Sequence, residues 1–163
     1  MAMIRTTAAG LVPAPPSAVY AFLAGSPQLT EPARHPVEVV CEEEPPKLPR
    51  TARLRTYLPN GATVDSWHTL LDCVEDERVV SRTSVTPFGF RPFNRTRFPR
   101  LEIQRTVTLE PKPGGTSVTM ETELRFRPAP LGLLYAALAK RDCWQRSSEE
   151  AIQRLSDHLL RQG

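Results

Sequence analysis

The hydrophobic period of this chain is two over most of its length and gives way to intervals of three and four near its end. From Val37 to Arg127 apolar and polar residues alternate in six runs: Val37 to Glu44, Thr51 to Leu58, Ala62 to Val74, Arg78 to Thr86, Leu101 to Glu110 and Thr116 to Arg127. Side chains of a strand alternate between two faces, so each run predicts a half-buried strand. Beyond Pro128 and Pro130 the apolar residues recur every three or four positions, through Leu134, Leu138, Arg141, Trp144, Ser148, Ile152, Leu155 and Leu159. That spacing predicts one amphipathic helix running to about Leu160. At about 1.5 Å per residue it would be on the order of 45 Å long, enough to lie across a whole sheet.

Two connections carry explicit hairpin signals. Pro59-Asn60-Gly61 and Pro113-Gly114-Gly115 supply the positive φ angles of tight turns, so the strands they join are antiparallel neighbours. Before the alternating region, Met3 to Val12 predicts a strand. Pro15 and Pro16 then open a short helix over Ser17 to Ala24, with Val19, Phe22 and Leu23 on one face and Gly25 at its end. Ser26 to Pro36 is polar and has room for one more helical turn. The 17 prolines cluster in these connections, where neither a ladder hydrogen bond nor a helix is interrupted. No linker divides the chain, and its 163 residues predict a single α+β domain with a core of ordinary size.

Composition narrows the partners. Twenty-one basic residues are scattered among 18 acidic ones, for a net charge of +3, so no footprint for nucleic acid is expected. No stretch approaches the roughly 20 apolar residues of a membrane span. Cys41, Cys73 and Cys143 lie far apart and form no CxxC pair, which predicts neither a disulfide framework nor a zinc site and suits a reducing cytoplasm. No P-loop, dinucleotide fingerprint, GxSxG or metal-ligand spacing occurs, and no cofactor is implied. A monomer or a homodimer is expected.

The element order is carried by Val12-Pro13-Ala14-Pro15-Pro16-Ser17-Ala18-Val19-Tyr20, Asn60-Gly61 leading to Trp67, Thr86-Pro87-Phe88, Gly114-Gly115-Thr116 and the final helix. In these features the chain resembles the START/Bet v 1-like helix-grip superfamily, as a polyketide cyclase/dehydrase-type member. The resemblance covers essentially the whole chain and specifies fold better than chemistry. It implies a curved antiparallel sheet wrapped around the C-terminal helix, short helices after the first strand, and a lipophilic pocket between sheet and helix. The loop from Pro87 to Pro99, with Phe88, Phe90, Phe93 and Phe98, would lid that pocket.

Strand parity then selects pocket residues. Leu101, Ile103, Arg105, Val107 and Leu109 face inward, as do Val118, Met120, Thr122, Leu124 and Phe126. For Ala62 to Val74 both parities are open. The inward set is either Asp65, Trp67, Thr69, Leu71 and Cys73 or Val64, Ser66, His68, Leu70 and Asp72. The larger apolar surface of tryptophan and the cyclase-like Asn-Gly-to-tryptophan stretch favour the first. In Arg78 to Thr86 the resemblance puts Arg82 and Ser84 inside, while parity alone also allows Val79, Ser81, Thr83 and Val85.

Arg82 and Arg105 would then polarise carbonyl or enolate oxygens of a polyketide-like substrate, or form internal ion pairs with Asp65 or Asp142, or snorkel to water. Asp65 and His68 are the candidates for proton transfer, with His35 and, less so, His158 as the other histidines. Trp67, Thr69, Leu71, Met120, Thr122, Leu124, Tyr135, Leu138 and Trp144 would shape the ligand site. The expected function is cofactor-independent cyclisation, aromatisation or dehydration of a polyketide-like or aromatic molecule. The alternative is non-catalytic binding, transport or sequestration of a hydrophobic one.

Overall fold

A computed structural model of the chain describes residues 3–25, 37–42, 48–61, 63–85, 100–127 and 141–162. The expected elements are present as β1 (Met3–Val12), α1 (Pro16–Gly25), β2 (Val37–Glu42), β3 (Arg50–Tyr57), β4 (Thr63–Val74), β5 (Arg78–Val85), β6 (Arg100–Lys112), β7 (Gly115–Arg127) and α2 (Arg141–Gln162). The strands form one antiparallel sheet in the order β1-β7-β6-β5-β4-β3-β2. Consecutive strands from β2 to β7 are thus neighbours, and β1 closes the row beside β7. The curved sheet with its C-terminal helix is the helix-grip fold.

Both hairpins use the expected glycines. Gly61 has φ 80° between β3 and β4, and Gly114 has φ 87° between β6 and β7. Gly115 has φ 152°, and a Cβ there would lie 2.1 Å from the Val12 carbonyl oxygen, so only glycine lets β7 begin against the end of β1. The β4–β5 turn uses Asp76 at φ 59°, a left-handed position that aspartate tolerates.

Helix α2 packs chiefly on β1. A Cβ on Gly10 would meet Ile152 Cγ2 at 2.9 Å, so the missing side chain sets the close approach of helix and strand. The helix also covers the sheet's edge, where Gln145 Nε2 donates to the Thr7 carbonyl at 2.7 Å. At the other end of the sheet Arg50 Nη2 donates to the Ala24 carbonyl at 2.9 Å. That bond supplies a cation to the C-terminus of α1, whose own last turn has no basic residue.

The interior holds two apolar clusters. The larger gathers Ala8, Val12, Val19, Leu23, Leu70, Val79, Val107, Leu109, Val118, Met120, Ala151, Ile152 and Leu155, drawn from α1, α2 and one end of the strands. The smaller joins Ile103 and Leu124, with Ile4, Val85, Leu101 and Trp144 packed against them.

Candidate functional site

Between these clusters runs a row across the sheet that is polar except for Leu70, itself part of the larger cluster. Arg50, Leu70, Ser81, Arg105, Thr122 and Thr6 are aligned by successive pairings through β3, β4, β5, β6, β7 and β1. Thr6, Ser81 and Thr122 are buried, and Arg105 is half-buried with its Nε inside. Ser148 of α2 closes the row from above. Its Oγ lies 3.5 Å from both Thr6 Oγ1 and Thr122 Oγ1 and donates to the Trp144 carbonyl at 3.1 Å. Burying a hydroxyl costs about 1–3 kcal/mol unless it is well bonded, and 3.5 Å is a long bond. Valine or alanine would pack here more cheaply, so this row is not what a core optimised for stability alone would select.

One row further along, on the side of the smaller cluster, Ala52, His68, Thr83, Ile103, Leu124 and Ile4 are aligned in the same way. His68 is 3% exposed, and its Nδ1 is hydrogen-bonded to Thr83 Oγ1 at 3.0 Å. Ser66, buried as well, stands in the row beyond. Hydrogen-bonding groups therefore concentrate on the inner face of β4 and β5, next to Trp144 and the smaller apolar cluster. Among the described residues, no Asp or Glu occupies a buried position in the sheet or helices.

These placements correct the expected site. Trp67 is on the outer face and 49% exposed, with Arg53 stacked 5.8 Å from its ring centroid. Asp65 is beside it on that face, bound by Arg53 Nη2 at 2.5 Å and by Arg55 Nε at 2.9 Å. Hydrogen bonding from Arg55, and then from Arg53, holds the Asp65 carboxyl down at about 2, so it remains an anion and has no inward proton to exchange. Thr69 also faces outward, sharing a 3.2 Å hydrogen bond with Thr51. Arg82 is paired with Thr69 and Gln104 in that outer ladder and is exposed, and Ser84 shares its face. The inward set of β5 is Val79, Ser81 and Thr83.

The physical cause of the β4 error is a bulge. Leu70 pairs with Ser81 but Asp72 pairs with Val80, leaving Leu71 as the extra residue. His68 and Leu70 point inward before it, and Cys73 packs on the larger core after it, so neither parity holds for the whole strand. Cys73 meets Tyr20 of α1, and burial pushes its thiol up.

Other expectations hold in position. Arg105, Met120, Thr122 and Leu124 are inward, and Trp144 packs on the smaller cluster. His68 faces the interior, through the parity that was not favoured. Asp142 is exposed, and His158 lies against Phe22 with ring centroids 4.7 Å apart and ring planes tilted by 52°. Tyr135, Leu138, His35 and the 87–99 segment lie outside the described residues. Thr83 and Ser148 were missed as site residues. For Thr83 the available signal was its opposite pairing to the His68 parity; for Ser148 it was a serine in the apolar helix stripe.

No protein-family model matches the chain, and no curated protein matches it by sequence. Solved structures match it in shape. An uncharacterized protein from Rhizobium leguminosarum has a TM-score of 0.68 at 16% identity, over 98% of this chain and 96% of that one. The di-domain ARO/CYC StfQ from the steffimycin biosynthetic pathway has 0.63 at 17%, over 94% of this chain and 50% of that one. Ara h 8.0201 has 0.61 at 13%, over 98% and 99%. At such identities the likeness establishes the fold and nothing finer.

Proposed function

We propose that this chain, a member of the START/Bet v 1-like superfamily, encloses a lipophilic small molecule bearing oxygen functions between its sheet and C-terminal helix. Arg105 and His68 would be the groups that meet those oxygens. The observation that carries this reading is the concentration of hydrogen-bonding side chains, among them Ser66, His68, Ser81, Thr83, Arg105 and Thr122, on one inner face beside an apolar cluster. A guanidinium offers several donors and stays charged at any working pH. It therefore favours carbonyl, enolate or carboxylate oxygens over a plain hydrocarbon.

A catalytic version of this reading, cyclisation, aromatisation or dehydration of a polyketide-like molecule, is supported by Arg105 and His68 lying on the same inner face. Their strands are separated by β5, two strand spacings or about 10 Å, within the span of a small fused-ring molecule. Enclosure would hold a flexible chain in one reactive conformer, and Arg105 would stabilise developing negative charge. The likeness in shape to an aromatase/cyclase supports this version; carriage or sequestration needs only the enclosure.

Binding is tested with an environment-sensitive aromatic fluorophore bearing an anionic group. R105M is expected to weaken its binding at least tenfold, whereas R82A and W67A, altered on the outer face, should leave it unchanged. Equal losses in all three variants would sink the assignment of the inner face.

A further inference from the structure

The outer face of the sheet carries charges that its own chain does not answer. On β7 Glu123 bonds both Arg5 and Arg125 at 3.0 Å, much as Asp65 on β4 holds Arg53 and Arg55. Each of these acids is shared by two arginines. Arg82 on β5, Glu102 on β6 and Glu121 on β7 face the same way, and among the described residues they form no hydrogen bond or ion pair. Arg82 and Glu121 are exposed and Glu102 is half-buried.

Strand register fixes where these groups stand. One outward row across the middle of the sheet contains Trp67, Ser84, Glu102 and Arg125, and the next contains Thr69, Arg82, Gln104 and Glu123. Glu121 is in the row beyond, opposite Thr106. The unanswered cation is therefore on β5 and the unanswered anions are on β6 and β7. Next to the cation, on β4, Trp67 is 49% exposed and only partly covered by Arg53. An acidic partner laid on this face would suit Arg82 but be repelled by Glu102 and Glu121, and a basic partner would suffer the reverse. A surface with the same mixed pattern satisfies both signs at once.

We propose that the outer face of β4 to β7 is an interface between two copies of this chain, related by a twofold axis that runs along the strands between β5 and β6. Such an axis lays β5 on the partner's β6 and β4 on the partner's β7, and every contact occurs twice. Rows meet rows, apart from the crossing angle of about 30° that twisted sheets adopt. Arg82 comes down over the partner's Gln104, with the partner's Glu102 in the row on one side and the partner's Glu121 in the row on the other. Trp67 comes down over the partner's Arg125, so the open part of the indole gains a second cation. Tryptophan and arginine are the residue types that most often dominate interface energies. Because the sheet curves around α2, its outer face is convex and meets a copy of itself only along the middle strands. The contact is smaller than a standard interface, and the dimer is weak and reversible. The pairing leaves the inner face untouched.

Sedimentation velocity of the full chain should show a monomer–dimer equilibrium at high micromolar concentration, weakened by added salt. R82E sets like charges against the partner's Glu102 and Glu121 and should raise the dissociation constant at least tenfold; W67A should do the same. E102K/E121K should also be monomeric, because its lysines then face Arg82. Mixed in equal amounts, R82E and E102K/E121K should recover dimers that neither forms alone, a rescue that a role in folding would not produce. R146E, on the exposed side of α2, changes net charge as R82E does and should have no effect. A wild type that stays monomeric to millimolar concentration overturns the proposal. Dimers as strong in R82E and W67A as in wild type, or no recovery in the mixture, overturn it as well. Binding of oligoglutamate or oligolysine to a monomeric chain, lost in the matching charge variant, would give the face to a partner of one charge and likewise overturn it.

Discussion

The separation of helix and sheet, which fixes how much room the interior has, is most directly probed at Gly10. An alanine Cβ there would sit 2.9 Å from Ile152 Cγ2, where carbon atoms ordinarily rest at about 3.5–4.0 Å. Ile152 is only 5% exposed and is part of the larger core, so it has no open space to swing into. Overpacking of this kind costs about 1–3 kcal/mol, against which alanine regains about 0.5–1 kcal/mol of the entropy that glycine loses in a strand. A net destabilisation of about 1–2 kcal/mol is expected for G10A. In an I152A background the clashing methyl is gone and the new methyl enters the vacated volume. I152A alone should cost about 2–5 kcal/mol, but adding G10A to it should be neutral or stabilising. Urea unfolding of the four proteins gives the cycle, with equal m-values as the check that one transition is being compared. The same cost for G10A in both backgrounds would refute the claim that Gly10 is required by Ile152.

Four further outcomes follow from the outer face, the core and the inner row. Because Arg55 and Arg53 hold Asp65 at about 2, below its ordinary 3.8, its contribution to stability is complete above about pH 4 and is lost as pH falls towards 2. With solvent screening that contribution is about 1 kcal/mol, and D65N should flatten this part of an acid unfolding profile. Replacing Arg50 by methionine, which removes its bond to the Ala24 carbonyl, should increase hydrogen exchange in the last turn of α1 more than in β6. Burial pushes the Cys73 thiol up while Cys143 is exposed, so at pH 8 a thiol reagent should modify Cys143 well before Cys73; comparable rates would contradict the packing of Cys73 under α1. T122V should bring little loss of stability or a small gain, because the hydroxyl it removes is poorly bonded at 3.5 Å. A loss above about 2 kcal/mol by urea unfolding would show that the threonine is needed for the fold itself.

The sequence by itself determined the element order, the antiparallel pairing, the two glycine turns and the inward faces of β6 and β7. Those two strands keep one parity with no shift of register, and solvation of one face leaves a single pairing that buries Ile103, Val107, Val118, Met120 and Leu124 together. Tertiary structure decided β4 and β5. Both parities of β4 contain apolar residues, and a bulge at Leu71 joins half of one to half of the other. The area argument that favoured an inward Trp67 omitted a neighbour: Arg53, 14 residues away in sequence, covers part of the indole on the outer face, while His68 gains Thr83 as a partner inside. Which carboxylate is paired and which histidine is buried depended on cross-strand neighbours that local period does not encode. For that reason Asp65 and Arg82 moved out of the candidate site, and Thr83 and Ser148 came into it.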